Sequence, residues 1–165
     1  MPDLTTVAPV ASAPSPIAPD ADLLRLLTGF RTLQVQHGRV LGNEGAARGL
    51  GPTDTRLLLL LAANGDAAVT PKQAAEHLEL STGAMTSLVD RLEKHGHIER
   101  LPNPDDRRSI LVQLTTSGSA VAQQIGGVYS AAFREVIPVD QRARLAEAFE
   151  LLGQALARHS QAMSH

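Results

Sequence analysis

The chain has 165 residues, 43% of them hydrophobic but only 2% aromatic, with a formal net charge of −2. That is enough apolar material for a domain with its own core, and it excludes disorder along the whole length. The absence of cysteine excludes disulfides, thiol nucleophiles, thiol-based oxidant sensing and thiolate metal sites, and makes the cytoplasm the expected setting.

Residues 1–20 are rich in Pro and Ala and show no periodic apolar face. They lack the basic start and apolar centre of a signal peptide, so a disordered tail is expected. No later run is long and apolar enough to span a membrane. With so few aromatics, the core falls to Leu, Val, Ile and Ala, which favours helices packed on helices.

Six helical segments follow. The first covers about 21–42, with apolar stripes through Leu23, Leu27 and Phe30 or through Leu26, Phe30 and Leu33. The second opens at Gly51-Pro52, with glycine at the N-cap, proline at the first position and Asp54 near the positive helix end. Its Leu57–Leu61 run marks it as the buried helix, and Asn64-Gly65-Asp66 ends it. The third starts at Thr70-Pro71-Lys72-Gln73, which reads as a capping box, and ends near Leu78. A tight connection through Glu79, Leu80 and Ser81 leads to a fourth helix over about 82–95. Met85, Leu88, Val89 and Leu92 form its buried face, and Gly96 takes the C′ position.

After Gly96 the period changes to two: Ile98 alternates with Arg100, then Ile110 with Val112 and Leu114, around a charged, turn-forming tip at 102–108. This is a β-hairpin. Thr115 caps a fifth helix carrying Val121, Ile125, Val128, Ala132 and Val136, which Pro138 breaks. The sixth, about 140–159, carries Leu145, Phe149, Leu152 and Leu156, the spacing of a helix that packs on other helices, a second chain's included.

The fold class is therefore mainly α with a small β-hairpin wing. A winged helix-turn-helix at 51–114 is flanked by dimerisation helices at 21–50 and 115–160. In such a unit the second helix of the motif enters the major groove of DNA. Its outer face offers Ser81, Thr82, Gly83, Thr86, Ser87, Asp90, Arg91 and Lys94. Small hydroxyls let the backbone approach DNA, and the cations can meet phosphate or base edges. At the wing tip, Arg107 and Arg108 are suited to a narrow minor groove, and Asp106 can hold the tip rigid by accepting hydrogen bonds from a guanidinium. Taken alone, the helix face is equally an ordinary solvated surface and the tip reads first as a solvated turn whose charges cancel; their succession favours double-stranded DNA.

Charge does not announce a nucleic-acid binder. From Lys72 to Arg108 six Lys/Arg face seven Asp/Glu. His95 and His97 flank a glycine without a third ligand, so no metal site is expected. No phosphate-loop, nucleophile-elbow or zinc-protease pattern occurs, so neither catalysis nor a cofactor is expected.

Residues 80–118, LSTGAMTSLVDRLEKHGHIERLPNPDDRRSILVQLTTSG, resemble the core of the MarR family of transcription regulators. Asp106 and Arg108 match its D-x-R wing signature, and Leu114, Thr115 and Gly118 its L-T-x-x-G; residues 71–80 resemble the family's preceding helix. The resemblance, extended by the helical layout to about 22–159, implies a homodimer whose first, fifth and sixth helices interlock. It implies recognition helices in two major grooves, wings in the flanking minor grooves, and in many members release of DNA by a small, often aromatic and anionic effector. His37 lies where such a ligand would sit, although a plain interface histidine is the simpler reading. Ser87 departs from the arginine several members carry, and Gly51 from a common threonine cap. The function expected is a ligand-responsive repressor on a pseudo-palindromic operator. The alternative is a winged helix serving protein–protein contact without an operator.

Overall fold

The computed structural model describes residues 20–65 and 67–163. Residues 1–19 of the expected tail at 1–20, and Asp66 of the expected helix stop, lie outside the described residues. The chain divides into two compact units, one ending at Gly38 and the other beginning at Arg39.

The first described element, α1 (Ala21–Ala46), begins in the first unit and ends in the second, one turn beyond the expected stop. Asp20 corrects the boundary of the tail. Its carboxylate accepts the N–H groups of Asp22 and Leu23 at 3.0 and 3.1 Å, so it is the helix N-cap. Within the first unit Leu23, Leu26, Leu27, Phe30 and Leu33 are all exposed.

The second unit holds the core. It contains the end of α1, then α2 (Pro52–Ala63), α3 (Pro71–Leu78), α4 (Thr82–Lys94), β1 (Ile98–Pro102), β2 (Ile110–Leu114), α5 (Thr116–Val136) and α6 (Val139–Met163). As the all-round apolar run requires, Leu57, Leu58 and Leu61 of α2 are buried. Around them gather Ala74 and Leu78 of α3, the Met85, Leu88, Val89 and Leu92 face of α4, Ile98 and Val112 of the hairpin, and Ala122 of α5. The core thus runs past residue 114, the expected end of the winged helix, into the first half of α5.

Local chemistry fixes each joint. Thr70 and Gln73 cap each other reciprocally at the start of α3. Ser81 accepts the Ala84 N–H to start α4, and Gly96, at φ 73°, reverses the chain after it. The strands pair antiparallel, Ile98 opposite Leu114 and Pro102 opposite Ile110. Val69 adds an isolated bridge to Val112 through two backbone hydrogen bonds of 3.1 and 2.8 Å, which no periodicity marked.

The turn between α3 and α4 is strained at one residue. Glu79 lies in the left-handed region at φ 56°, ψ 43°, where a Cβ costs roughly 1–2 kcal/mol. Glu79→Gly is therefore expected to raise stability by about 0.5–1 kcal/mol after the extra entropy of an unfolded glycine is subtracted, and Glu79→Val to lower it. Denaturant unfolding of the two variants checks this.

The α6 seam is open. Phe149, Leu152 and Leu156 are exposed, and α6 has no buried residue within the chain. An apolar groove of about 210 Å³ at the turn from α5 into α6 is lined by Phe133, Ile137, Arg142, Leu145, Ala146 and Phe149. Among the described residues, no helix is long and apolar enough to cross a membrane.

Candidate nucleic-acid interface

The buried face of α4 determines what its other face offers. With Met85, Leu88, Val89 and Leu92 inward, the exposed residues are Ser81, Thr82, Gly83, Ala84, Thr86, Ser87, Asp90, Arg91 and Lys94. Their polar groups are not equally free. Ser81 Oγ accepts the cap hydrogen bond and keeps its own hydrogen to donate. Thr86 Oγ1 donates to the Thr82 carbonyl at 2.9 Å, leaving lone pairs to accept an amino group outside. A Cβ built at Gly83 meets nothing within 4 Å, so this glycine leaves the surface shallow rather than relieving the packing.

Arg91 is not a free cation of this face. Its Nε and Nη2 donate to Asp54 Oδ1 at 2.9 and 2.5 Å, while Asp54 Oδ2 accepts the Gly51 N–H at 2.7 Å. Asp54, only 2% exposed, thus caps α2 and anchors α4 at once. The sequence placed Asp54 at the positive helix end but gave no sign of its second partner. Among the described residues no ion pair holds Lys94.

The wing tip differs from expectation in its support. Asp106 Oδ1 accepts the backbone N–H of Arg108 at 2.9 Å, not a guanidinium, and the Asp106 carbonyl accepts the Ser109 N–H at 3.0 Å. Asn103 braces the turn from the other side, donating to Ser109 Oγ at 2.7 Å and accepting the Asp105 N–H at 3.0 Å. The physical reason is reach: a carboxylate two residues back meets its neighbour's N–H by closing a local turn, whatever the long side chain does. The guanidinium groups of Arg107 and Arg108 are exposed, and among the described residues neither has an ion pair. The tip is a turn closed by these hydrogen bonds, and it presents two arginines that have no ion pair among the described residues.

Arg100 is the site residue that sequence reasoning missed. From β1 it reaches both Asp90 and Glu93 of α4. The available signal was the period-two pattern, which places it on the same side of the strand as buried Ile98, where a charge needs carboxylate partners.

At the far end of α4, Thr115 Oγ1 donates to the Gly96 carbonyl at 2.6 Å and accepts the Gly118 N–H at 3.1 Å. His97 Nδ1 lies 3.0 Å from Ser117 Oγ. Burial, and secondly the neighbouring His95, push the His97 pKa below 6.5, against a smaller opposite pull from Asp54. The unfolded chain therefore binds more protons near and below that pH. This contribution to stability is complete above pH 6.5 and is lost as pH falls through it. The unfolding midpoint should drop on acidification across this range, and His97→Gln should flatten that part of the profile. Among the described residues no group of three or more His, Cys, Asp or Glu could hold a metal ion.

Residues 48–109 match the model of the MarR family. The multiple antibiotic resistance protein MarR of Escherichia coli K12 is 47% identical over 58 residues, 35% of this chain and 40% of that protein. Over residues 48–109, from α2 to the wing tip, the chain is similar to the MarR family. Crystal structures extend the likeness of fold beyond the matched segment. A mutant E. coli MarR complexed with operator DNA has a TM-score of 0.54 at 24% identity, covering 82% of this chain and 99% of that one. MepR of S. aureus in its DNA-binding conformation has a TM-score of 0.66 at 16% identity, covering 79% and 98%. The chain spans 40–50% of the length of the curated MarR proteins it matches. Other relatives are named HTH-type transcriptional regulators or repressors, not enzymes. The segment matched by the family model includes α4 and the wing tip, so every residue placed above on the exposed face of α4, and both tip arginines, fall within it.

Proposed function

We propose that this chain is a DNA-binding transcription regulator that works as a homodimer in the cytoplasm, with α4 in the major groove and the wing tip in the adjacent minor groove. The observation that carries the reading is the pairing of a shallow polar face on α4 with two unpaired arginines on a braced hairpin tip. Ser81, Thr82, Gly83, Thr86, Ser87 and Lys94 meet DNA from the helix and Arg107 and Arg108 from the wing, while Asp106 and Arg91 support them from within the fold.

A homodimer is favoured because the exposed stripes of α1, the Phe133 and Val136 end of α5 and the α6 seam leave more apolar surface open than an isolated small protein carries. Such a dimer presents two helices about one DNA turn apart, roughly 34–36 Å, to a pseudo-palindromic operator. Repression, and release by a small aromatic or anionic effector, complete the reading; His37, exposed on α1, is the weak candidate ligand contact.

Anisotropy titration of the full chain against the DNA upstream of its own gene, beside random DNA, tests the core of this reading. Tighter, salt-dependent binding of the upstream fragment is expected. Equal binding of both fragments would favour the winged helix as a protein–protein module instead. Sedimentation should find a dimer, and a stable folded monomer at micromolar concentration would overturn that part. Small aromatic acids that raise the unfolding midpoint without weakening the DNA complex would count against an effector coupled to DNA release.

A further inference from the structure

Asp90 and Glu93 lie three residues apart on α4, and Arg100 of β1 forks across them, Nη2 donating to Asp90 and Nη1 to Glu93. Arg100 pairs with Val112 in the hairpin and follows buried Ile98 by two residues, so its face of β1 turns towards the helix. One residue along α4 from Asp90, Arg91 is held by Asp54 of α2. The recognition helix is therefore tied to α2 through its own cation and to the wing through its own anions.

We propose that Arg100 is the positioning residue of the DNA-reading surface, an inference that rests on the DNA-binding reading above. It sets the angle between wing and recognition helix, so that Arg107 and Arg108 reach their groove when α4 is seated in its own. It also neutralises two carboxylates that would otherwise repel phosphate. A two-stranded hairpin alone is marginal in water, and beyond buried Val112 the strands run out to exposed Pro102 and Ile110. Arg100 is the tie between the hairpin and α4 at that level. The planar guanidinium can fork over two carboxylates, whereas a lysine supplies the charge at one point only.

The test is a set of coupled substitutions in the full chain. Operator affinity is measured for the parent, Arg100→Gln, Arg100→Lys and the charge-compensated triple Asp90→Asn, Glu93→Gln, Arg100→Gln, each with and without Arg108→Ala. In the parent, Arg108→Ala should lose about tenfold or more per half-site. In Arg100→Gln and in the triple it should lose less than about threefold, because the tip is no longer delivered to its groove, with Arg100→Lys between. Equal losses from Arg108→Ala in every background would overturn the proposal, however much Arg100→Gln itself weakens binding. If Arg100→Gln fails to fold, the triple, which leaves no unpaired acid, and Arg100→Lys carry the comparison. A parent that prefers no DNA sinks the DNA-binding reading instead, and the clamp is then judged without DNA. Amide exchange at Leu101 and Leu111 should quicken about tenfold in the triple relative to Leu58. Unchanged protection there would overturn the clamp itself.

Discussion

Gly118→Ala is expected to destabilise the protein by more than about 3 kcal/mol, the largest effect of a methyl group added at any of its glycines. A Cβ at Gly118 would lie 1.9 Å from the His97 carbonyl oxygen and 2.9 Å from its carbon. Backbone atoms cannot turn aside as a side-chain end can. This carbonyl is also fixed, because it accepts the Thr115 N–H at 3.1 Å. Any retreat of α5 breaks the Thr115 cap, which joins the Gly96 carbonyl to the Gly118 N–H. Helix propensity alone predicts the opposite sign, since alanine in a helix is favoured over glycine by about 1 kcal/mol. Gly83→Ala, with open space around its Cβ, serves as the control and should gain up to about 1 kcal/mol. Denaturant unfolding followed by far-ultraviolet circular dichroism separates the two. A loss under about 1 kcal/mol for Gly118→Ala would mean that α5 can slide on the hairpin.

Gly118 also shows where the sequence was legible and where it was not. The L-T-x-x-G resemblance marked the position, and Thr115 was readable as a cap from its place before an apolar run. The reason for glycine was not, because it lies in the carbonyl of a residue twenty-one positions earlier, and pattern does not report close approach. The capping box at Thr70, the C′ glycine at 96 and the buried face of α4 were legible because each is a local rule of spacing. What stayed hidden was pairing across elements: Asp54 with Arg91, Arg100 with Asp90 and Glu93, Val69 with Val112. For α6 the spacing of Leu145, Phe149, Leu152 and Leu156 announced a packing seam, and the structure leaves that seam uncovered within one chain. Periodicity states that a face wants a partner but not which chain supplies it.

Arg91→Ala and Arg108→Ala are expected to separate stability from DNA binding. Both residues are arginines of the segment that matches the MarR-family model, and sequence alone assigned both to the DNA. Arg91 leaves Asp54 with a buried carboxylate and no cation when it is removed. Breaking a fully buried pair costs about 3–5 kcal/mol, and because Arg91 is 48% exposed the expected loss is nearer 2 kcal/mol. Arg108 has no such tie, so Arg108→Ala should leave the unfolding midpoint unchanged and remove about 1–3 kcal/mol of binding per half-site. Salt dependence makes the distinction sharper. If Lys94, Arg107 and Arg108 meet phosphate or groove in each protomer, a dimer neutralises about six charges, and the slope of log affinity against log salt is about −5. Arg108→Ala should reduce that slope by about two, whereas Arg91→Ala should leave it in place, because its charge is already spent on Asp54. Titrations at four salt concentrations, with unfolding curves on the same preparations, measure both quantities. A fall in slope for Arg91→Ala with no loss of stability would return that arginine to the DNA and make its contact with Asp54 incidental.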